Sequence, residues 1–326
     1  MQNLLEKQGE QVVPIIEVEN LTKKFGSFVA VNQLNFSIEE GEVFGLLGPN
    51  GAGKTTTVRM LAGLLSSSGG SAKVKGYVIN SESLKVRETV GILTENPSLY
   101  EKLTAYENMD FFAQAYGLTE SAPKTKRIHE MLQFFGLWER RNDKVATFSK
   151  GMKQKLAIAR ALVHKPSIIF LDEPTSGLDP ESSKEVRDLV AKLSRHEKST
   201  ILLCTHHLED AEKLCSRVMI INKGTNVIVG TPDALRNKIS GTPTVEVTLE
   251  SVSSKLVEAT KHVRGVKQVT VDEESHKLTV TVDDSLSCTP KIVKNLVEAE
   301  GLILGVKVVR ASLEEAYLKL IKEEQK

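Results

Sequence analysis

Gly48-Pro49-Asn50-Gly51-Ala52-Gly53-Lys54-Thr55 follows directly on the apolar run Glu42-Val43-Phe44-Gly45-Leu46-Leu47. The stretch matches G-x-x-x-x-G-K-[ST] without a mismatch, with a strand-like segment before it and a helical pattern after it. Each part has a mechanical job. Gly51 and Gly53 let backbone N–H groups face inward around an anion without Cβ interference. Lys54 brings a point charge to the outer phosphates of a nucleotide, and the Thr55 hydroxyl is a ligand for Mg²⁺. The following helix, carrying Thr56, Val58, Met60, Leu61 and Leu64, aims its positive N-terminal end at the same phosphates.

Working outward, Ile15–Glu19 and Leu34–Ile38 read as strands ahead of the loop. Ser66-Ser67-Ser68-Gly69-Gly70-Ser71 breaks the pattern, and Lys73–Ile79 reads as a short strand pair. From about Thr104 to Ile158 the periodicity is helical. Phe111, Phe112, Ala115 and Tyr116 lie on one face, and Ile128, Met131, Leu132 and Phe135 on another. Two all-apolar strands follow, Ile168–Leu171 and Ile201–Cys204, around an amphipathic helix with Val186, Leu189, Val190 and Leu193. That β-α-β unit implies a parallel sheet covered by helices on both faces. A further strand, Val218–Ile221, ends at Asn222-Lys223-Gly224.

A boundary is expected near Lys238-Ile239-Ser240-Gly241-Thr242-Pro243, separating a first domain at 15–238 from a second at 243–326, with 1–14 as an N-terminal extension. The second domain reads strand, helix, strand, strand, helix, strand, the order of a split βαβ, ferredoxin-like sandwich. A last helix carries Leu313, Ala316, Tyr317, Leu320 and Ile321.

The balance of 43 basic against 42 acidic residues argues against a dedicated nucleic-acid binder. Cys204, Cys215 and Cys288 are scattered, which fits a reduced, cytoplasmic chain and neither a disulfide framework nor a zinc site. The first residues show no secretory pattern, and no apolar run reaches the ~20 residues needed to cross a bilayer. Any action on a membrane is therefore expected to go through a partner.

Ile168-Ile169-Phe170-Leu171-Asp172-Glu173 closes four apolar residues with two carboxylates. At a strand's carboxyl end, Asp172 is suited to hold Mg²⁺ directly or through water. Glu173 is suited to polarise an attacking water as general base. An isolated Asp-Glu pair after a strand reads more readily as a solvated acidic turn. Here it continues as Pro174-Thr175-Ser176-Gly177-Leu178-Asp179-Pro180.

With that continuation, residues of about 15–235 closely resemble the ATP-binding cassette (ABC) ATPases. In that family the phosphate loop is followed by a glutamine loop, a signature motif, the Asp-Glu strand, an aspartate loop and a switch histidine, and each has a counterpart here in order. Glu95, in Gly91-Ile92-Leu93-Thr94-Glu95-Asn96-Pro97, aligns with the usual glutamine and brings a carboxylate toward Mg²⁺. The signature-like run is Phe148-Ser149-Lys150-Gly151-Met152. Lys150 stands where the family has Gly and Met152 where it has Gln. Lys150 is either a solvated side chain or a charge facing a partner's phosphate. Ser149 and Gly151, opening a helix, are suited to a γ-phosphate, and the resemblance implies that this phosphate belongs to ATP held by a second cassette. Asp179 aligns with the aspartate loop and His206 with the switch histidine. His207 beside it is expected, by strand alternation, to point the other way. Phe25 matches the aromatic that stacks on adenine, and Phe28 is the competing candidate.

The resemblance thus implies an α/β fold: a P-loop cassette with a mixed, largely parallel core sheet, an antiparallel β subdomain and a helical subdomain at about 96–158, plus a small C-terminal α+β domain. ATP would be held by Phe25, Gly48, Pro49, Asn50, Gly51, Ala52, Gly53, Lys54, Thr55, Thr56 and Glu95. Mg²⁺ would be held by Thr55, Asp172 and Glu95. Lys54, Glu173 and His206 would be catalytic. The implied partners are a second ATPase subunit, as a homodimer, and a separately encoded transmembrane permease at the cytoplasmic face of the cell membrane, with no nucleic acid. Soluble cassette proteins of translation carry two cassettes, and those of DNA repair carry long coiled coils between loop and signature. Here that interval is about a hundred residues without sustained heptads, which favours a transporter subunit. Ala311-Ser312-Leu313-Glu314-Glu315-Ala316-Tyr317-Leu318-Lys319-Leu320 and the Ser149–Gln154 run are similar to the type-two exporter class; an importer ATPase or a soluble regulator is the alternative.

Overall fold

The structure, a computed structural model, describes residues 13–197, 199–239 and 243–309, with Glu314 and Tyr317. Apart from Tyr317, the residues named for the expected last helix, and all but two of the N-terminal extension, lie outside the described residues. The chain divides into two units, Met1–Thr231 and Pro232–Lys326. This division falls ahead of the expected Lys238–Pro243 boundary, because Pro232 opens a helix that groups with the second unit. Proline at the first helical position suits such a start, since its missing N–H has no intrahelical partner to lose.

The first unit begins with a hairpin, β1 (Ile16–Phe25) and β2 (Phe28–Ile38). Both strands run well beyond the stretches read from alternation. Their register shifts at several points, and Asn20 and Gln33 sit at φ 49° and 51°, so the period-2 pattern is interrupted where the pairing continues. Next come β3 (Val43–Leu47), α1 (Lys54–Leu61), β4 (Gly69–Val74), β5 (Tyr77–Val78), α2 (Ser83–Thr89) and β6 (Val90–Leu93). The antiparallel sheet has the order β2-β1-β4-β5.

The helical region is made of α3 (Ala105–Ala115), α4 (Ser121–Phe134) and α5 (Lys150–Ala161). Thr104 and Glu107 close a capping box that starts α3. Ile128, Met131, Leu132 and Phe135 are buried as the pattern predicts. The aromatic face of α3 is not. Its buried residues are Ala105, Asn108, Met109 and Ala113, while Phe111 is 47% and Tyr116 39% exposed.

The unit continues with β7 (Ile168–Asp172), α6 (Pro180–Glu197), β8 (Thr200–Thr205), α7 (Leu208–Leu214), β9 (Arg217–Asn222) and β10 (Thr225–Gly230). The core sheet has the order β10-β9-β3-β8-β7-β6, and every pair but β10–β9 is parallel. Every residue of β3, β7 and β8 is buried, as parallel strands covered on both faces require. Because these strands run the same way, the segments leaving β3, β7 and β8 emerge at one edge, where open α/β sheets place their ligands.

The second unit starts with α8 (Pro232–Ile239), followed by β11 (Thr244–Leu249), α9 (Ser254–Lys261), β12 (Val266–Asp272), β13 (Lys277–Val282), α10 (Ser285–Glu298) and β14 (Ile303–Val309). Its sheet, β12-β13-β11-β14, is antiparallel throughout. That order interleaves two βαβ halves, the split βαβ arrangement. Its own core includes Val245, Val247, Leu278, Val280, Ile292 and Leu296.

One half-buried base makes the first unit acid-sensitive. The His164 ring stacks on Tyr116 at 3.8 Å and 4°, with Nε2 3.3 Å from the Val90 carbonyl oxygen. Burial pushes its pKa from 6.5 down to about 4; the Val90 carbonyl opposes this and the Arg127 charge adds to it. Between those values the unfolded chain takes up a proton that the folded chain refuses. Stability at this site is therefore complete above pH 6.5 and is lost as pH falls toward 4. His164→Phe keeps a ring on Tyr116 and removes the proton. Its melting temperature is expected to fall less steeply than the parent's between pH 6.5 and 4, measured by thermal unfolding across that range.

Candidate active site

The loop after β3 takes its shape from glycine. Gly51 and Gly53 have φ of 82° and 106°, and a Cβ on Gly53 would sit 2.5 Å from the Ala30 carbonyl oxygen. At Gly53 any side chain is therefore excluded by both backbone conformation and space. Gly53 also caps α1, which has no side-chain cap and no acidic residue in its first turn. The first N–H groups of α1 are left for an anion. The Lys54 ammonium is buried, donating to the Gly48 carbonyl at 2.7 Å and the Pro49 carbonyl at 3.3 Å.

Asp172 ends β7 at 1% exposure, and its Oδ1 has no hydrogen-bond partner. Burial pushes its carboxyl above the ordinary range. The Thr55 hydroxyl opposes that shift, Glu173 and Glu95 reinforce it, and the Lys54 charge opposes it. Three acids thus crowd one lysine, and Thr55 and Asp172 are brought together as the sequence pattern requires. An orphaned carboxylate oxygen beside a hydroxyl, with two more carboxylates near, is a donor set that fits a hard divalent cation.

Glu173 turns sharply out of the strand. It is 8% exposed, its φ is 52°, and its N–H donates to the Cys204 carbonyl at 2.8 Å. A buried non-glycine residue in the left-handed region is strained, and such strain is held by surroundings that over-determine it. Here it turns the carboxylate toward Lys54 and His206. Lys54 Nζ lies 3.5 Å from Oε1 and His206 Nδ1 2.9 Å from Oε2. Neither oxygen accepts a well-directed hydrogen bond, so both keep acceptor capacity.

Lys54, Thr55, Thr56, Glu95, Glu173 and His206 share one cleft of about 480 Å³ with Pro49, Asn50, Gly51 and Gly53. Phe28, Ala30 and Ser176 also line it. Phe25 is not among the lining residues. It pairs with Phe28 across the hairpin, is 49% exposed and carries the Lys23 ammonium 5.1 Å from its ring centre.

His206 and His207 do not point apart. Their ring centres are 4.1 Å from each other with a tilt of 37°. Strand alternation stops at Thr205, the last residue of β8, and His207 already caps α7. Its N–H donates to the Thr205 hydroxyl at 2.9 Å, which folds the pair back on one side.

The Ser149–Met152 stretch contributes nothing to the lining of this cleft. Ser149 caps α5, its Oγ accepting from the Met152 N–H at 3.2 Å. Gly151 is needed for close packing, since a Cβ there would lie 2.6 Å from the Ser182 Oγ. Lys150 is exposed, with its Nζ placed over Gly177. Asp179 caps α6 by accepting from the Ser182 N–H at 2.9 Å, and that bond holds its carboxyl below the ordinary range.

Other residues join these motifs to each other. Gln154, on α5, donates to the Pro174 carbonyl at 2.7 Å and ties the signature helix to the Glu173 segment. Arg160, also on α5, donates to the Pro97 carbonyl at 2.6 Å and stands over the Phe112 ring at 4.7 Å. Asp210 is 1% exposed, accepts from Thr175 at 2.5 Å and pairs with Arg187 at 2.9 Å, bracing the turn after Glu173 against α7. Sequence patterning singled out none of these, because each partner lies 20 or more residues from its mate.

Residues 31–176 match the ABC transporter family. The chain is 37% identical over 311 residues to the linearmycin resistance ATP-binding protein LnrL of Bacillus subtilis (strain 168), covering 94% of this chain and 98% of that one. This chain belongs to the ABC transporter ATP-binding proteins. Accordingly the cassette binds and hydrolyses ATP. It is also 38% identical over 232 residues to the Nod factor export ATP-binding protein I of Burkholderia orbicola (strain AU 1054), covering 71% of this chain and 76% of that one. Among solved structures, an ATP-binding cassette in a dimeric, post-hydrolysis state bound to ADP and Pi superposes with a TM-score of 0.61 at 28% identity. That match covers 66% of this ABC protein and 98% of the solved chain. No helix among the described residues of this cassette protein is long and apolar enough to cross a membrane.

Proposed function

We propose that this chain is the ATP-hydrolysing motor of an exporter, working as a pair of identical subunits on a separately encoded permease at the cytoplasmic face of the membrane. The observation that carries this reading is that the cleft is chemically incomplete. It gathers Lys54, Glu173 and His206 but no residue of the Ser149–Met152 stretch. A second copy, packed head to tail, supplies the Ser149 hydroxyl and the Gly151 N–H to the γ-phosphate.

In this reading the backbone N–H groups of Gly48–Thr56 wrap the phosphates, and Lys54 leaves the Gly48 carbonyl for the outer phosphate oxygens. Thr55, Asp172 and Glu95 hold Mg²⁺, which when bound neutralises phosphate charge. Glu173 takes a proton from the attacking water. His206 orients Glu173 and contacts the γ-phosphate. Phe25 and Phe28 are the two rings available to stack on the base. Asp179, exposed at the head of α6, faces the second subunit.

Export is supported by the names of the relatives, one a resistance protein and one an export protein. Permease contact is supported by exposed rings on and beside α3. Tyr100, Phe111 and Phe112 form a ring cluster with centre distances of 5.0 to 5.9 Å, and Tyr100 and Phe111 are each 47% exposed. Rings are over-represented at docking surfaces, and Arg160 links this cluster to the Glu95 loop. The double variant Tyr100→Asp, Phe111→Asp is expected to keep the ATPase rate of the purified chain within about twofold, since surface changes away from a site are near neutral. In native cells it is expected to leave the membrane fraction. An unchanged membrane-bound fraction, read by quantitative immunoblot of sedimented membranes, rejects this docking face.

A further inference from the structure

We propose that Glu173, His206 and His207 form a binding site for a borderline transition-metal ion of the Zn²⁺ type, and that its occupancy arrests hydrolysis while ATP stays bound. The binding stands on geometry alone; the arrest rests on the role proposed above for Glu173. One carboxylate oxygen and two imidazole nitrogens lie within 4.8 Å of one another. Tetrahedral coordination at the usual Zn–N and Zn–O lengths sets ligand atoms roughly 3.4 Å apart. The remaining closure is small, and both histidines are exposed, so their rings are free to turn.

Glu173 is the fixed member. It is 8% exposed, and neither oxygen has a directed hydrogen bond. A buried carboxylate with spare lone pairs favours a cation strongly, because leaving it unpaired is costly. Its Oε1 faces the Lys54 ammonium at 3.5 Å, so the ion meets Oε2, the oxygen already 2.9 Å from His206. A Glu–His contact alone is commonplace. His207, turned onto the same side, makes the group a three-ligand chelate with a position left for water.

The donor set also chooses the ion. Two imidazoles with a carboxylate suit Zn²⁺, Co²⁺, Ni²⁺ or Cu²⁺. Mg²⁺ takes oxygen donors and holds its waters, so it does not compete for these nitrogens. Once bound, the ion occupies the carboxylate proposed as base and the histidine proposed to orient it, while the loop at Gly48–Thr56 remains open to ATP.

The test uses the full chain, stripped of metal and titrated with Co²⁺. The parent is expected to develop the visible absorption of low-coordinate Co²⁺ at one ion per chain and to lose it when Zn²⁺ is added. His207→Ala, which lies outside the proposed catalytic set, is expected to keep basal Mg²⁺-ATPase activity. Its Co²⁺ affinity should fall at least ~10-fold, and the Zn²⁺ concentration giving half-inhibition should rise equally. His262→Ala, at an exposed histidine of the second unit, is expected to behave as the parent. Equal metal affinity in parent and His207→Ala overturns the site, as does an equal loss in both histidine variants, which marks adventitious binding. Co²⁺ binding that depends on His207 but leaves turnover untouched overturns the arrest. Failure of the Glu173 role is read separately, from Glu173→Gln turnover without any transition metal.

Discussion

Glu173→Gln is expected to bind ATP as tightly as the parent and to turn it over ~10²–10⁴ times more slowly, the usual worth of a general base. Glutamine fills the same volume, so the turn at φ 52° and the N–H donated to the Cys204 carbonyl are kept. Lys54 loses a charge contact at 3.5 Å but keeps the Gly48 carbonyl at 2.7 Å. The phosphate grip therefore survives. What is lost is a carboxylate whose oxygens accept no directed hydrogen bond within the folded chain and so are available to a water's proton. Equilibrium dialysis with labelled ATP reads the first half of the expectation, and single-turnover phosphate release the second. Turnover within a few-fold of the parent would move the base to another group in the cleft, Glu95 being the nearest alternative by chemistry.

The parts of this site that were legible beforehand share one property. Each is a short contiguous segment at the end of a buried strand: the loop after β3, Asp172-Glu173 after β7, and His206 after β8. A run such as Ile168–Leu171 states its own environment, because only a strand covered on both faces buries every residue. Parallel strands then bring their carboxyl ends to one edge without further information. Relations between segments were not legible in this way. Gln154 reaching Pro174, Arg160 reaching Pro97 and Asp210 bracing Thr175 and Arg187 depend on how α5, α6 and α7 pack. No local pattern encodes those distances.

The paired histidines show the same limit at close range. Alternation holds only inside a strand, and β8 ends at Thr205, so it governs neither histidine. Likewise Phe111 and Tyr116 have core-like chemistry and helical spacing. Apolar character alone does not distinguish a buried face from an exposed one. The side of α3 that packs inward is the one carrying Ala105, Met109 and Ala113.

Ser149→Arg is expected to abolish ATP-dependent pairing while sparing ATP binding by the single chain. Ser149 caps α5 through one hydrogen bond from the Met152 N–H, at 3.2 Å. Losing that cap costs about 1 kcal/mol, too little to unfold a domain of this size. The larger effect is steric and chemical. Arginine has no acceptor, and its long side chain would fill the space that the proposed pairing assigns to the partner's γ-phosphate. It would also remove the hydroxyl offered to that phosphate. Its positive charge does not rescue the contact, because the Gly151 N–H must approach closely. Gly151 is already pressed against Ser182, with no room for a Cβ. The measurement is sedimentation velocity with ATP in the Glu173→Gln background, where slow turnover keeps ATP in place. Glu173→Gln alone is expected to shift from single chain to pair on adding ATP. With Ser149→Arg added, the single-chain boundary is expected to persist although ATP is still bound. Ser149→Ala provides the graded case: it loses the cap and the hydroxyl but adds no bulk, so pairing should weaken without vanishing. A pair that forms with ATP in spite of the arginine would mean that the cleft at Gly48–Thr55 is completed from some other surface, and the shared-site reading would fall with it.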